Sequence, residues 1–103
     1  TVGLKITKGD QVLVYSADTM PNEWIKRQER IDLLIHEATT ASRDLANHTS
    51  LAQCLAYYPI ERYRKIVFVH LTDDEPYDAV IEALDEETRK KLTIGVDMMT
   101  LDF

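Results

Sequence analysis

The sequence predicts an α/β domain whose sheet is parallel at its centre and antiparallel at its margins. Three short apolar runs occur at residues 12–15, 31–35 and 65–69. Segments with helical spacing or helix-start chemistry separate them, the alternation that builds a parallel sheet. A glycine in a very short connection near the start adds a β-hairpin.

Taken in order, residues 2–7 and 11–16 read as strands joined by Lys8-Gly9-Asp10. Val12-Leu13-Val14-Tyr15 is continuously apolar, which predicts a strand buried on both faces. Pro21 precedes a helix over 22–30, and residues 31–35 form the next strand. A polar loop over 36–47 leads to a helix over 50–58, in which Leu51, Cys54, Leu55 and Tyr58 share helical spacing; it stops at Pro59. The third buried strand is 65–69. Asp74-Glu75-Pro76 supplies acidic residues and an early proline for a helix to about residue 84. Residues 85–91 run from acids to bases, which suits a helix dipole or a polar turn. Residues 92–103 read as two strands around Asp97-Met98. Repeats, linkers and low-complexity segments are absent from the sequence, so the chain is expected to form a single unit over 1–103.

Composition narrows the function. The chain is 45% hydrophobic and 29% charged, an ordinary globular balance. No apolar run approaches the ~18 residues of a membrane span, and no signal peptide is seen. A net charge of −6 argues against this piece providing a nucleic-acid footprint, because phosphate contacts need clustered Lys and Arg. Arg62, Arg64 and Lys65 make a small basic group next to Glu61, read as a solvated face. Cys54 is the sole cysteine; it sits in an apolar helical stretch and reads as a buried structural thiol in a reducing, cytoplasmic setting. The opening at Thr1 in place of Met fits a processed, trimmed or partial polypeptide.

The polar residues collect at strand ends. The run 12–15 leads to Asp18, 31–35 leads to His36 and Glu37, and 65–69 leads to His70 with Asp73 and Asp74 beyond. His48 precedes the helix from Ser50. Carboxyl ends of parallel strands share one edge, where ligand sites form. One aspartate, three histidines and a glutamate there suit a metal or an acid–base site. Each residue also has a plainer reading. Asp18 can be a turn or N-cap residue, His48-Thr49-Ser50 a helix cap, and His36-Glu37 part of a solvated loop. His70 can be a satisfied strand-end histidine, and Asp73-Asp74 the N-cap of the following helix.

Five motifs in order resemble those of metallo-β-lactamase-fold hydrolases of the ribonuclease Z kind. Tyr15-Ser16-Ala17-Asp18-Thr19 is similar to their YSGDT motif, and Leu33-Leu34-Ile35-His36-Glu37-Ala38-Thr39 to LLIHEAT. His48-Thr49-Ser50 is similar to HST, and Val69-His70 to the strand-end histidine. Residues 95–103 resemble the closing strand, and 2–6 the strand that precedes the aspartate. The resemblance implies one half, the C-terminal one, of an αβ/βα sandwich, a mixed sheet with helices on one face. It implies that Asp18 bridges two zinc ions, that His70 ligates one, and that Glu37 and His48 form a proton-transfer pair near a scissile phosphate. A bridging carboxylate lets two cations share an attacking hydroxide, and a carboxylate beside His48 favours its protonated form.

Several positions depart from the family pattern. Ala17 replaces the glycine before the aspartate, and Met98 stands where glycine is usual. Leu71-Thr72-Asp73-Asp74 replaces the serine–arginine–tyrosine continuation of tRNA-processing members, which puts tRNA as substrate in doubt. The H-x-H-x-D-H motif is absent, and each catalytic zinc takes about three protein ligands. The expectation is a phosphodiesterase or RNA-processing half-enzyme, inactive alone and completed by a missing N-terminal half or a second chain that covers its apolar sheet face. The alternative is a catalytically silent domain acting as a binding or regulatory subunit, against which the joint retention of Asp18, Glu37, His48 and His70 argues. A doubly wound nucleotide-binding module lacks its Gly-rich loop.

Overall fold

The computed structural model describes residues 4–16, 23–42, 49–69, 71, 72 and 74–95. Strand β1 (Leu4–Lys8) and strand β2 (Gln11–Tyr15) form the expected hairpin, turning at Gly9 with φ of 59°, a left-handed conformation that glycine adopts without steric cost. Helix α1 (Glu23–Lys26), strand β3 (Leu33–Glu37), helix α2 (Leu51–Tyr57) and strand β4 (Ile66–Val69) follow, with a 3₁₀ turn at Ile60–Arg62 between the last two. Helices α3 (Tyr77–Glu82) and α4 (Glu86–Lys91) lead into strand β5 (Leu92–Ile94). The sheet runs β1-β2-β3-β4-β5, antiparallel only between β1 and β2. The mixed α/β sheet is therefore as expected.

Side chains alternate across a strand, and the pairing register divides the sheet into two faces. Val14, Leu34, Ile66 and Phe68 pack with Ile25, Leu51, Cys54, Tyr58 and Tyr77 in one core, with Leu92 and Ile94 against it. This is the helix-covered face. The opposite face carries Leu4, Ile6, Leu13, Tyr15, Leu33, Ile35, Val67 and Val69. Leu33 and Val67 are buried at its middle, whereas Leu4, Ile6 and Tyr15 are 54%, 43% and 40% exposed at its β1–β2 side. The apolar run 12–15 is thus not buried on both faces. Tyr15 faces outward, because the helices lie on the other side.

Three expectations are corrected. The second strand extends to Glu37 instead of ending at residue 35, since β4 pairs with it as far as Glu37↔Val69. Its start is lost: Ile31 makes an isolated bridge to Tyr63, and Asp32 accepts from the Val12 amide at 2.7 Å and pairs with Arg30 at 3.4 Å. The helix expected over 22–30 is described only as Glu23–Lys26. The Gln28 side chain turns back to donate to the Trp24 carbonyl at 3.0 Å and accepts from Lys5 Nζ at 2.9 Å. A side chain closes the turn that another helical turn would have closed.

The third correction concerns α3. Asp74 does not cap this helix; Pro76 holds the cap position with no side-chain hydrogen bond, and Asp74 sits at φ of 65°. Glu75 is used elsewhere, accepting from the Ala41 amide at 2.8 Å. Asp73 lies outside the described residues. By contrast α4 takes the helical option, with Asp85 accepting from the Thr88 amide, acids in its first turn and bases in its last. Of the closing pair of strands β5 is described, and residues 96–103 lie outside.

Helix α2 is set by a capping box. Ser50 Oγ accepts from the Gln53 amide and Gln53 Oε1 from the Ser50 amide, so two N-terminal donors are satisfied. Cys54 is fully buried and its thiol is pushed well above its usual range by burial, as expected of a structural cysteine.

At the end of β5 a Cβ on Gly95 would lie 2.9 Å from the Phe68 carbonyl oxygen and 3.2 Å from a Val69 methyl. The Gly95 amide donates to that same carbonyl at 2.8 Å. The backbone carbonyl, held by that bond, leaves little room to yield, and valine methyls close the space beside it. Gly95→Ala should therefore destabilise the fold by about 1–3 kcal/mol, read as a lower urea midpoint with an unchanged slope.

Candidate functional site

The centre of the described site is the end of β3, where alternation sends adjacent residues to opposite faces. His36 enters the helix-covered core and Glu37 points to the other side; both are buried. His36 Nδ1 lies 2.9 Å from the Glu37 carbonyl oxygen, an acceptor only, so Nδ1 carries the proton in the neutral ring. Nε2 then accepts from the Tyr58 hydroxyl at 2.8 Å, and the Tyr58 ring stands edge-on to the imidazole. His36 is a satisfied core histidine. This removes it from the set of five strand-end residues: extending β3 by two residues turned it into the core.

Burial holds the His36 pKa below its ordinary 6.5, with hydrogen bonding to the Glu37 carbonyl and the Glu37 charge opposing that shift. The unfolded chain binds this proton more readily than the folded one. The contribution to stability is therefore complete above about pH 6.5 and is lost as pH falls through the depressed folded-state value. Urea unfolding between pH 7.5 and pH 5 should show this slope in the wild type and a reduced one in His36→Gln. Glu23 and Asp85, held low by hydrogen bonds from Tyr57 and Thr88, act only in a more acidic window.

Glu37 accepts from the Thr39 hydroxyl at 2.5 Å through Oε2. The segment around it ties three other loops together. The amide of Glu37 donates to Ser16 Oγ at 3.3 Å, that of Ala38 to the Val69 carbonyl at 2.9 Å, and that of Thr39 to the Thr49 carbonyl at 3.1 Å. Ser16 is two residues before Asp18, Val69 immediately precedes His70, and Thr49 immediately follows His48. Three successive amides thus gather the neighbours of the three other site candidates.

Asp18, His48 and His70 themselves lie outside the described residues, as do Ala17 and Met98. Among the described residues no group of three or more His, Cys, Asp and Glu could hold a metal ion. The capping reading of 48–50 is correct for Ser50. Thr72 and Tyr77, whose hydroxyls donate to the Thr39 and Ala38 carbonyls, carried no sequence signal.

Comparison with known proteins identifies the fold. No protein-family model matches the chain. A ribonuclease Z of Bacillus licheniformis is 33% identical over 85 residues, 77% of this chain and 28% of that protein. The metallo-β-lactamase fold protein YhfI from Bacillus subtilis superposes with a TM-score of 0.69 at 23% identity, over 90% of this chain and 40% of its own. The chain has a partial metallo-β-lactamase fold. A diphosphatase of the PhnP family, at 14% identity, superposes with a TM-score of 0.66 over 99% of this metallo-β-lactamase-fold chain and 42% of its own. The chain spans less than half the length of each of these relatives.

Metals are typical of this fold, and the candidate ligands fit them in kind. Carboxylate and imidazole both suit zinc, and Ser16, two residues before Asp18, and Val69, immediately before His70, bond to the same short segment of chain. Two ligands fall short of the about three that each catalytic zinc takes. The set is suited to a share of a site.

Proposed function

We propose that this chain is one part of a metal-dependent hydrolase of phosphodiesters, ribonuclease Z-like in chemistry, whose binuclear site is completed by the rest of the fold. The hydrogen bonds from Glu37, Ala38 and Thr39 to Ser16, Val69 and Thr49 carry this reading, because they draw together the chain next to every candidate. Asp18 and His70 would hold metal, with Asp18 as the bridge. A bound metal pair supplies an activated hydroxide and charge stabilisation at phosphorus. Glu37, oriented by Thr39, would hold His48 protonated, and His48 would deliver that proton to the leaving oxygen.

The named relatives include a ribonuclease and a diphosphatase, and cleavage of a bond to phosphorus is common to both names. The sequence 71–74 departs from the tRNA-processing pattern, which favours RNA or small phosphodiester substrates other than tRNA. The exposed Leu4, Ile6 and Tyr15 at the β1–β2 side of the face away from the helices support completion by a second apolar sheet, from a missing N-terminal half or another chain. No helix among the described residues is long and apolar enough to cross a membrane. The buried free thiol of Cys54 suits a reducing compartment, and on that ground we place the protein in the cytoplasm.

Two measurements test the proposal. Sedimentation should show the 103-residue chain associating with itself or with the complementary half; a stable, well-folded monomer counts against a covered face. The completed protein should bind about two zinc-like ions and cleave bis-p-nitrophenyl phosphate, whereas this chain alone should not. A completed protein without metal would be a silent binding or regulatory domain.

A further inference from the structure

We infer that Tyr77, with Thr72, is a positioning residue that holds the segment following Glu37 against the segment following His70; this rests on the function proposed above. Tyr77 opens α3 and is almost fully buried. Its hydroxyl donates to the Ala38 carbonyl at 2.6 Å and accepts from the Thr72 amide at 3.0 Å. Ala38 follows the proposed proton-transfer carboxylate directly, and Thr72 lies two residues beyond the proposed metal ligand His70. One hydroxyl therefore bridges the residue that follows Glu37 and the segment that follows His70.

The clasp has a second strand of bonding. Thr72 Oγ1 donates to the Thr39 carbonyl at 2.5 Å, and the Thr39 hydroxyl donates to Glu37 Oε2. Glu75, two residues before Tyr77, accepts from the Ala41 amide. Thr72, Glu75 and Tyr77 thus bind the backbone of Thr39, Ala41 and Ala38. A helix core needs the tyrosine ring alone. The hydroxyl, placed between two loops and bonded to both, fixes the spacing of the groups they carry. Partners that orient ligating and acid–base residues in this way typically change activity by about 10–100-fold when removed.

The test compares three variants of the completed protein by steady-state kinetics on bis-p-nitrophenyl phosphate. Tyr77→Phe keeps the ring and removes both bonds; it should lower kcat by about 10–100-fold with KM unchanged. Thr72→Val, at an exposed position, removes only the bond to Thr39 and should lower kcat in the same sense; it decides the matter if Tyr77→Phe does not fold. Tyr63→Phe is the control, since that buried hydroxyl donates to the Ile25 carbonyl at 3.3 Å, away from both loops; it should keep the wild-type kcat. Wild-type kcat in Tyr77→Phe and Thr72→Val overturns the positioning role alone. An equal loss in Tyr63→Phe overturns it as well, because the effect would then be general loosening. A completed wild-type protein without metal or turnover overturns the hydrolase reading, and the positioning role with it.

Discussion

Asp18→Ala in the completed protein is expected to lose the paired metal ions and to reduce phosphodiester cleavage to the uncatalysed background. A carboxylate bridging two cations offsets their mutual repulsion and sets the short separation at which they share one hydroxide. Alanine removes both effects together. Metal content by elemental analysis and turnover of bis-p-nitrophenyl phosphate should therefore fall in the same preparations. Retention of both ions with full activity would show that Asp18 is a turn residue, the plainer reading of an aspartate two positions beyond Ser16. The neighbouring bond from the Glu37 amide to Ser16 Oγ involves no Asp18 atom, so the fold should survive the substitution.

His48→Ala is expected to behave differently: metals retained, turnover slowed by roughly 10²–10⁴-fold, the usual range for a general acid or base. Glu37→Ala should resemble it more than Asp18→Ala, because the proposed work of the carboxylate is done through the histidine. Glu37 is buried and accepts from the Thr39 hydroxyl, so the cleaner variant is Glu37→Gln, which preserves volume and one acceptor. Metal content measured beside rate separates the roles. Loss of metal in His48→Ala would make His48 a ligand.

Much of the architecture was legible because it rests on local signals. Runs of Val, Ile, Leu and Phe marked β2, β3 and β4, Gly9 marked the hairpin, and Pro59 marked the end of α2. What escaped depends on contacts between distant residues. The far end of β3 is set by its partner β4, so residues 36 and 37 were read as loop when they are strand. That single boundary decided His36: with the strand continued, alternation from Leu34 sends it into the core beside Tyr58. Asp74 looked like a cap, yet its left-handed backbone, which aspartate tolerates better than most residues, places it in a tight turn. Tyr77 reaches Ala38 across 39 positions of sequence, a distance over which periodicity and motif carry nothing. At the site, the sequence motifs named Glu37, and the structure added what holds it: Thr39, Ser16 and the convergence of neighbouring loops.

The position of β3 between two parallel partners has a consequence for how this chain tolerates change in length. Exposed turns such as 8–10 can gain or lose residues at low cost. One residue inserted within 33–37 would exchange the two faces for everything beyond it. An insertion ahead of His36 would bring Ile35 against the Tyr58 ring, carry the imidazole to the opposite face and turn the Glu37 carboxylate toward the helix-covered side. A buried carboxylate without a cationic partner costs several kcal/mol. A library of single-residue insertions scanned across 4–41 should therefore keep folded yield at the exposed turn 8–10 and show a sharp trough over 33–41, where the buried strand runs into the bonded segment 38–41.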